Sequence, residues 1–303
     1  EFLSPLSTAG FFYAFMKTMR VTLSLVLALI TFNLSLQASD SLISTQIIAF
    51  KKTSPGESLI LKRYGPSSQA GGTALPCAVF FFGGGWNGGQ IEHFAPQAEY
   101  LAQRGMVAIC AQYRTLNSHS VPPNVCLVDA KSAIRYVKAN AQSLGIDPKR
   151  LAVGGGSAGG HLAAATTFCE GFNDTRDDKK ISTQANALLL FNPVIDNSVN
   201  GYGHDRVREF WEGFSPLHNI SSPPPTLFLL GDNDDLVPVG TGIAFEKAIE
   251  DAGGRCDLHI YTDGAHGFFN PGRASANGKE YYEDCIKKMD HFLVSLGFLK
   301  PQR

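Results

Sequence analysis

From residue 78 onwards, short runs of apolar residues alternate with stretches whose apolar residues recur at helical spacing. The short runs are apolar throughout rather than at every second residue, which indicates strands buried on both faces of a sheet. Such strands, separated by amphipathic helices, predict the α/β fold class with a mostly parallel central sheet and helices on both faces. We predict strands at 46–50, 59–64, 78–82, 106–110, 151–153, 187–191, 226–230 and 258–261, and helices at 92–103, 125–139, 158–168, 239–251 and 281–296.

The first 38 residues are predicted to lie outside this fold. Lys17 and Arg20 precede a short apolar stretch at 21–32, and the small residue Ala38 follows at a cleavage point, which is the layout of a secretory signal peptide. The apolar stretch is shorter than the roughly 20 residues that a membrane span needs. We therefore expect a leader and signal peptide at 1–38, one catalytic domain at 39–303, a secreted or periplasmic location and no stable membrane anchor.

The composition argues against several function classes. The 303 residues carry 26 basic and 27 acidic side chains without a run of like charge, so nothing predicts a surface for nucleic acid. The six cysteines form no CxxC pair and no Cys/His cluster with zinc spacing. We expect no metal and no organic cofactor, while the disulfide pattern and the oligomeric state stay open at this stage.

The segment Gly155-Gly-Ser157-Ala-Gly159 joins a predicted strand to a predicted helix. A G-x-S-x-G pattern in this setting is typical of a nucleophilic serine on a sharp turn, where only small neighbours fit. A phosphate-binding loop is the alternative, but the segment has no lysine at Walker spacing and no GxGxxG in a first βαβ unit. Ser157 is therefore the predicted nucleophile, and the amide of Ala158 is a predicted donor to an oxyanion.

Three glycines at 83–85 directly follow the predicted strand at 78–82. Acyl transfer needs backbone amides aimed at the oxyanion of the tetrahedral intermediate, and glycines allow that close approach. A loop that leaves a strand upstream of the nucleophile is where the other half of such an oxyanion hole is expected. A plain flexible turn is the alternative interpretation.

Two further loops carry the candidate acid and base. The predicted strand at 226–230 runs into an acidic turn, in which Asp232, Asp234 and Asp235 are all candidates for the carboxylate that orients a histidine. The last predicted strand is followed by His266 between small residues, where it can accept the serine proton and return it to a leaving group. The order Ser, Asp, His along the chain is the order expected of an α/β-hydrolase.

Together these motifs resemble the bacterial esterase and lipase branch of the α/β-hydrolase superfamily near hormone-sensitive lipase. They are also similar to the acetyl-xylan, feruloyl and related carbohydrate esterases. The resemblance runs from about Ile47 to Leu299 and rests on GGSAGGHLAAA at the serine, FFGGGW at the glycines and the Gly-x-x-Asp-x-Leu-Val-Pro of the acidic turn. The triad and the oxyanion-hole amides that it implies are those of Ser157, Asp234, His266, Gly84, Gly85 and Ala158.

Some features differ from the family pattern or remain outside it. Phe82 stands where the family usually has a histidine that orders the glycine loop, so we expect packing to hold this loop. Before the first sheet motif we see room for strands only, so we expect little or no cap domain. Trp86, Phe268 and Phe269 are predicted to form an apolar wall for the substrate, although such residues are as common in a core. His161 is expected to pack in its helix.

The predicted function is a serine carboxylesterase that hydrolyses short-chain or carbohydrate-linked esters through an acyl-enzyme. A peptidase-type serine hydrolase is one alternative, although we see no room for the propeller or cap that usually clamps a peptide. A non-catalytic binding protein on a hydrolase scaffold is another, although such proteins typically lose the serine or the histidine. The expected partner is a small-molecule or carbohydrate ester.

Overall fold

The computed structural model describes residues 43–54, 56–67 and 72–302. The predicted leader and signal peptide at 1–38 lie outside the described residues, so export stays a prediction. None of the helices in the described ranges combines the length and the hydrophobicity of a membrane span.

The described residues form one sheet of eight strands. These are β1 (Ile43–Ser54), β2 (Glu57–Pro66), β3 (Leu75–Phe81), β4 (Val107–Ala111), β5 (Ile146–Gly156), β6 (Ala187–Phe191), β7 (Thr226–Gly231) and β8 (Cys256–Tyr261). Their order in the sheet is β1-β2-β4-β3-β5-β6-β7-β8. β2 pairs antiparallel with β1 and with β4, and all other neighbouring pairs are parallel, which confirms the predicted fold class.

Helices of nine or more residues follow the strands. They are α1 (Ala95–Gln103), α2 (Pro123–Ala139), α3 (Ala158–Phe168), α4 (Val239–Asp251) and α5 (Tyr282–Ser295). Shorter helical turns lie at Ile91–Phe94, Leu116–His119, Ala141–Leu144, His204–Val207, Trp211–Phe214 and Pro216–His218.

The core has two layers, because successive side chains of a strand point to opposite faces of the sheet. On β3, Val79 and Phe81 belong to a buried cluster that includes side chains of α2, α3 and α4. Their neighbours Ala78 and Phe80 belong to a second cluster with side chains of α1 and α5. The helices therefore cover both faces of the sheet, as the continuous apolar runs predict.

Most elements lie within a few residues of the predicted ranges, and two of the larger differences have a local reason. β5 begins at Ile146 rather than at residue 151, because strand pairing with β3 continues past the apolar core into a polar stretch. There Asp147 and Arg150 form an ion pair at 2.8 Å. The predicted helix at 92–103 is divided into a 3₁₀ turn and α1, where Pro96 in the first turn of α1 has no amide proton to donate.

The six cysteines all lie among the described residues, and each one is buried and unpaired. The sequence left the disulfide pattern open, and in this structure all six cysteines are free thiols. Free cysteine packs as a small apolar side chain, which fits the positions of these residues in both core clusters.

Candidate active site

The carboxyl ends of the parallel strands meet at one edge of the sheet, and the loops after β3, β5, β6, β7 and β8 lie there. In open α/β sheets this is the edge at which ligands bind. The structure brings Ser157, Asp234 and His266, which come from three different loops, into direct hydrogen-bond contact.

Ser157 lies on the turn between β5 and α3, with φ of 54° and ψ of −122°. Residues with side chains rarely adopt this conformation, which lifts the hydroxyl above the end of the sheet. The turn needs small neighbours, because a Cβ on Gly155 or on Gly159 would overlap the carbonyl oxygen of Phe81 on β3. The Ser157 amide donates to the Phe191 carbonyl oxygen at 3.1 Å, which ties the turn to the end of β6.

His266 lies between the serine and a carboxylate. Its Nε2 is 2.8 Å from Ser157 Oγ, and its Nδ1 is 2.8 Å from Asp234 Oδ2. The Asp234 side chain is completely buried, and its Oδ1 accepts the amides of Leu236 and Val237, each at 2.9 Å. Because a carboxylate only accepts, His266 Nδ1 donates its proton and Nε2 is left to accept from the serine hydroxyl.

The acidic turn contains three carboxylates, and the structure separates them. Asp232 accepts the amide of Asp263 at 2.6 Å, and both Asp232 and Asp235 are exposed. Of the three, Asp234 alone contacts His266 among the described residues. The choice between these candidates, which the residues alone left open, is therefore made by geometry.

Three amides beside the serine are free to donate. Among the hydrogen bonds of the described residues, none uses the amide of Gly84, Gly85 or Ala158. Gly84 has φ of 128°, and a Cβ there would overlap the Gly88 carbonyl oxygen, so the turn requires glycine. Ala158 begins α3, whose first amides have no acceptor within the helix. Unpaired donors of this kind are what an oxyanion hole needs.

The glycine loop is held by hydrogen bonds as well as by packing, so the expectation of packing alone was incomplete. Phe82 stacks on Tyr113 with ring centroids 4.0 Å apart, and the Tyr113 hydroxyl donates to the Phe82 carbonyl oxygen at 2.7 Å. The amide of Gly83 donates to His93 Nδ1 at 3.0 Å. A Cβ on Gly83 would lie 3.4 Å from the Cβ of Ser157, so the loop passes directly beside the serine.

Trp86 and Phe268 lie in the core, in contrast to the predicted apolar wall, and each is 1% exposed. Trp86 has φ of 60°, and its ring packs against Phe214 with centroids 5.8 Å apart. Phe268 packs on Tyr261 with centroids 4.7 Å apart. Neither ring is among the residues that line the cleft above the serine, whereas Phe269 is one of them.

A cleft of about 370 Å³ opens above the serine and the histidine. Its lining mixes amide, apolar and basic side chains, including Asn87, Tyr202, Leu236, Phe269, Asn270 and Arg273. A small polar cleft of this kind fits a compact substrate with a few hydrogen-bonding groups.

Asn192 is a site residue that the sequence reasoning missed. Its Oδ1 accepts the Gly267 amide at 2.9 Å, and its Nδ2 lies 3.5 Å from His266 Nε2. These contacts hold the loop that carries the histidine. Its position could have identified it as a site residue, because Asn192 directly follows β6. This strand lies between the strands that lead to Ser157 and Asp234.

His161 is structural, as the sequence suggests. It is fully buried, its Nε2 donates to the Phe214 carbonyl oxygen at 2.9 Å, and burial lowers its pKa to about 3. In the part of the chain that the structure covers, no group of three or more His, Cys, Asp and Glu side chains is placed to hold a metal ion.

Two family models match parts of the chain: the BD-FAE model over residues 63–201 and the dienelactone hydrolase family model over residues 192–296. Among solved structures, propionate-bound Est2, a thermophilic esterase of Thermogutta terrifontis, is 40% identical with a TM-score of 0.79, over 86% of this chain and 97% of that chain. The same esterase phosphorylated by paraoxon gives a TM-score of 0.78 at 40% identity, over 85% of this chain and 96% of that chain.

Curated relatives cover shorter parts of the chain. The probable carboxylic ester hydrolase LipM of Mycobacterium tuberculosis is 32% identical over 196 residues, which is 57% of this chain. The acetylxylan esterase of Xylanibacter ruminicola is 25% identical over 229 residues, which is 71% of this chain. The matched region spans 44% of the length of each of these two relatives. The shared sheet and the 40% identity over nearly all of a solved esterase show that this chain belongs to the esterase branch of the α/β-hydrolase superfamily.

Proposed function

We propose that this protein is a serine carboxylesterase in which Ser157, Asp234 and His266 form the catalytic triad. The observation that carries the proposal is the continuous hydrogen-bonded chain of 2.8 Å from Ser157 Oγ to His266 Nε2 and 2.8 Å from His266 Nδ1 to Asp234 Oδ2. These side chains lie beside amides that have no acceptor among the described residues, so both nucleophile activation and oxyanion stabilisation are available at one place.

In the first half of the proposed reaction, Ser157 Oγ attacks the ester carbonyl carbon while its proton passes to His266 Nε2. The resulting oxyanion accepts from the amides of Gly84, Gly85 and Ala158, and buried Asp234 stabilises the imidazolium. When the tetrahedral intermediate collapses, the carbon–oxygen bond to the alcohol breaks. His266 then gives its proton to the departing alkoxide, which leaves an acyl group on the serine.

In the second half, water takes the place of the alcohol. His266 accepts a proton from the water as its oxygen attacks the acyl carbon, and the same amides hold the second oxyanion. Collapse breaks the bond to Ser157 Oγ, which regains its proton from His266. The products are a carboxylic acid and the free enzyme, and each of these steps is carried by side chains and amides of this chain.

The substrates we propose are esters with short acyl groups, including acyl groups attached to carbohydrates. Support for a small acyl group comes from the modest cleft and from the propionate and butyrate bound to Est2. Support for a carbohydrate alcohol is the similarity to the acetylxylan esterase of Xylanibacter ruminicola. Amide side chains such as Asn87 and Asn270 can bond to sugar hydroxyls at the mouth of the cleft.

Export is part of the proposal and depends on the basic residues and apolar stretch near the N-terminus. Expression in a secreting host, followed by mass spectrometry of the N-terminus, tests it. A new N-terminus near Ala38 supports export, whereas an intact leader on the folded protein contradicts it.

The test of the esterase proposal is a substrate panel run on the wild type and on Ser157→Ala side by side. The panel contains p-nitrophenyl esters of rising chain length, acetylated xylan and methyl ferulate. We expect turnover of the short esters to fall by at least about 10³-fold in the variant, which stays folded. Near-wild-type hydrolysis by folded Ser157→Ala would overturn the assignment of the nucleophile. Strong turnover of acetylated xylan by the wild type would identify carbohydrate-linked esters as substrates.

A further inference from the structure

We infer that His93 is a positioning residue that sets the glycine loop for oxyanion binding and links this loop to the loop of His266. The inference rests on the proposed esterase function, since it concerns how the oxyanion hole of that function is held in place. His93 itself lies in the short 3₁₀ turn Ile91–Phe94, outside every motif that identifies the site.

The hydrogen bonds of His93 define its tautomer. The Gly83 amide lies 3.0 Å from His93 Nδ1, and because a backbone amide only donates, Nδ1 is the acceptor. Nε2 therefore carries the proton and donates to Asn270 Oδ1 at 3.0 Å. The orientation of the Asn270 amide agrees, since its NH₂ group donates to the Gly267 carbonyl oxygen at 2.9 Å.

These bonds form a bridge between two loops that carry different parts of the reaction. One end is Gly83, the residue before the free amides of Gly84 and Gly85. The other end is Gly267, the residue after His266, which is held from its opposite side by Asn192 Oδ1 at 2.9 Å. The positions of the oxyanion donors and of the general base are thereby coupled through one imidazole.

The imidazole is fixed by packing as well as by its hydrogen bonds. Its ring centroid lies 5.1 Å from that of Phe94 and 5.8 Å from that of Phe269. Burial lowers the pKa of His93, which favours the neutral form that has a lone pair for the Gly83 amide. A rigid acceptor matters here, because a loop of three glycines has no side chains of its own with which to pack.

The experiment compares His93→Asn with His93→Gln, since each keeps a different half of the bridge. Asn places an acceptor oxygen on the atom that corresponds to Cγ, where Nδ1 is bonded, so it can still accept the Gly83 amide. Gln places its NH₂ group one bond further out, near the position of Nε2, so it keeps the donor to Asn270 and loses the acceptor for Gly83. His259→Gln, on β8 and away from the cleft, is the control for the exchange of histidine itself.

We expect His93→Gln to lower kcat on a short p-nitrophenyl ester by about 10- to 100-fold, less than the loss of a whole oxyanion donor. KM is expected to stay within about twofold, because the oxyanion forms only after substrate binds. His93→Asn is expected to retain at least about a third of the wild-type kcat. Amide hydrogen exchange at Gly83 is expected to be slow in the wild type and in His93→Asn, and at least about tenfold faster in His93→Gln.

Equal losses in the two His93 variants, or a loss confined to KM, would overturn the inference. So would unchanged exchange at Gly83 in His93→Gln, whatever happens to turnover. Failure of the proposed function looks different, since the wild type would then show no turnover that depends on Ser157. In that case the exchange measurement by itself decides whether His93 holds the loop.

Discussion

At the scale of single residues, the site depends on which atoms carry protons as much as on the distances between them. Asp234 Oδ1 accepts from two backbone amides and lies 3.0 Å from His266 Nδ1, and Oδ2 lies 2.8 Å from the same nitrogen. The carboxylate keeps the proton of the imidazole on Nδ1 and thereby keeps Nε2 available to Ser157.

Replacing Asp234 by Asn is expected to leave the fold and remove most of the activity. The amide oxygen takes the position that accepts from the two backbone amides, so the NH₂ group faces His266 Nδ1. The NH₂ group takes the Oδ2 position, which at 2.8 Å is nearer to Nδ1 than the Oδ1 position at 3.0 Å, and this favours an Nδ1 that accepts. The proton then moves to Nε2, and the imidazole no longer accepts from Ser157. We expect kcat to fall about 10³- to 10⁴-fold, with the free energy of unfolding changed by less than about 1 kcal/mol.

The measurements for Asp234→Asn are steady-state kinetics on a short ester and urea unfolding. Asp235→Asn, on the same turn but exposed and without contact to His266, is the matched control and is expected to keep wild-type kcat. A loss of less than tenfold for the Asp234 variant in folded protein contradicts the assigned role.

At the scale of elements, α3 lies so close to the end of β3 that the helix residue at the closest point must be a glycine, which has no Cβ. A Cβ on Gly159 would overlap the carbonyl oxygens of Phe81 and Phe82, and a Cβ on Gly160 would lie 2.6 Å from Pro193. This close approach places the N-terminus of the helix, with the Ala158 amide, beside the glycine loop. The small residues of the nucleophile motif therefore serve packing between elements as well as the turn itself.

Gly159→Ala is expected to lower the free energy of unfolding by about 3 kcal/mol, because backbone rather than a flexible side chain must move to admit the methyl group. Gly240→Ala is the matched control, since Gly240 lies in α4 and a Cβ there would contact nothing within 4 Å. The control is expected to gain up to about 1 kcal/mol from higher helix propensity. Equal effects of the two substitutions in urea unfolding would contradict the packing explanation.

At the scale of the whole molecule, the interior contains a histidine whose neutral form the fold requires. His161 on α3 is completely buried against the helical turn Trp211–Phe214, and burial lowers its pKa from 6.5 to about 3. The unfolded chain binds a proton at this side chain below pH 6.5, whereas the folded chain does not until pH approaches about 3. Stability therefore decreases as the pH falls through this window.

Between pH 7 and pH 5, His161 is expected to account for about 2 kcal/mol of lost unfolding free energy. In His161→Gln the NH₂ group can still donate to the Phe214 carbonyl oxygen. The free energy of unfolding of this variant is expected to fall by about 2 kcal/mol less than that of the wild type between pH 7 and pH 5. Urea unfolding at the two pH values measures the difference, and His291→Gln on the exposed side of α5 should behave as the wild type. The same pH dependence in His161→Gln as in the wild type would show that another group is responsible.

The fold was largely predictable from the sequence, because its strongest signals are local. Continuous apolar runs report burial on both faces of a sheet, and α3, α4 and β6 have the predicted bounds. The esterase family was predictable for the same reason, since a strand, a turn of small residues and a helix around Ser157 occupy one short stretch of chain. Polar strand ends such as the start of β5 were not predicted, because strand pairing there does not depend on apolar side chains.

By itself, therefore, the sequence determined the fold class, the family and the loops that carry the reaction. The family resemblance had already implied Asp234 as the carboxylate that meets His266. Tertiary structure alone decided that Trp86 faces inward, and that His93 and Asn192 join the site. The physical reason is distance along the chain: His93 and Asn270 are 177 residues apart, and their hydrogen bond exists only because β3 and β8 end at the same edge of one sheet. No pattern within a short window contains that contact.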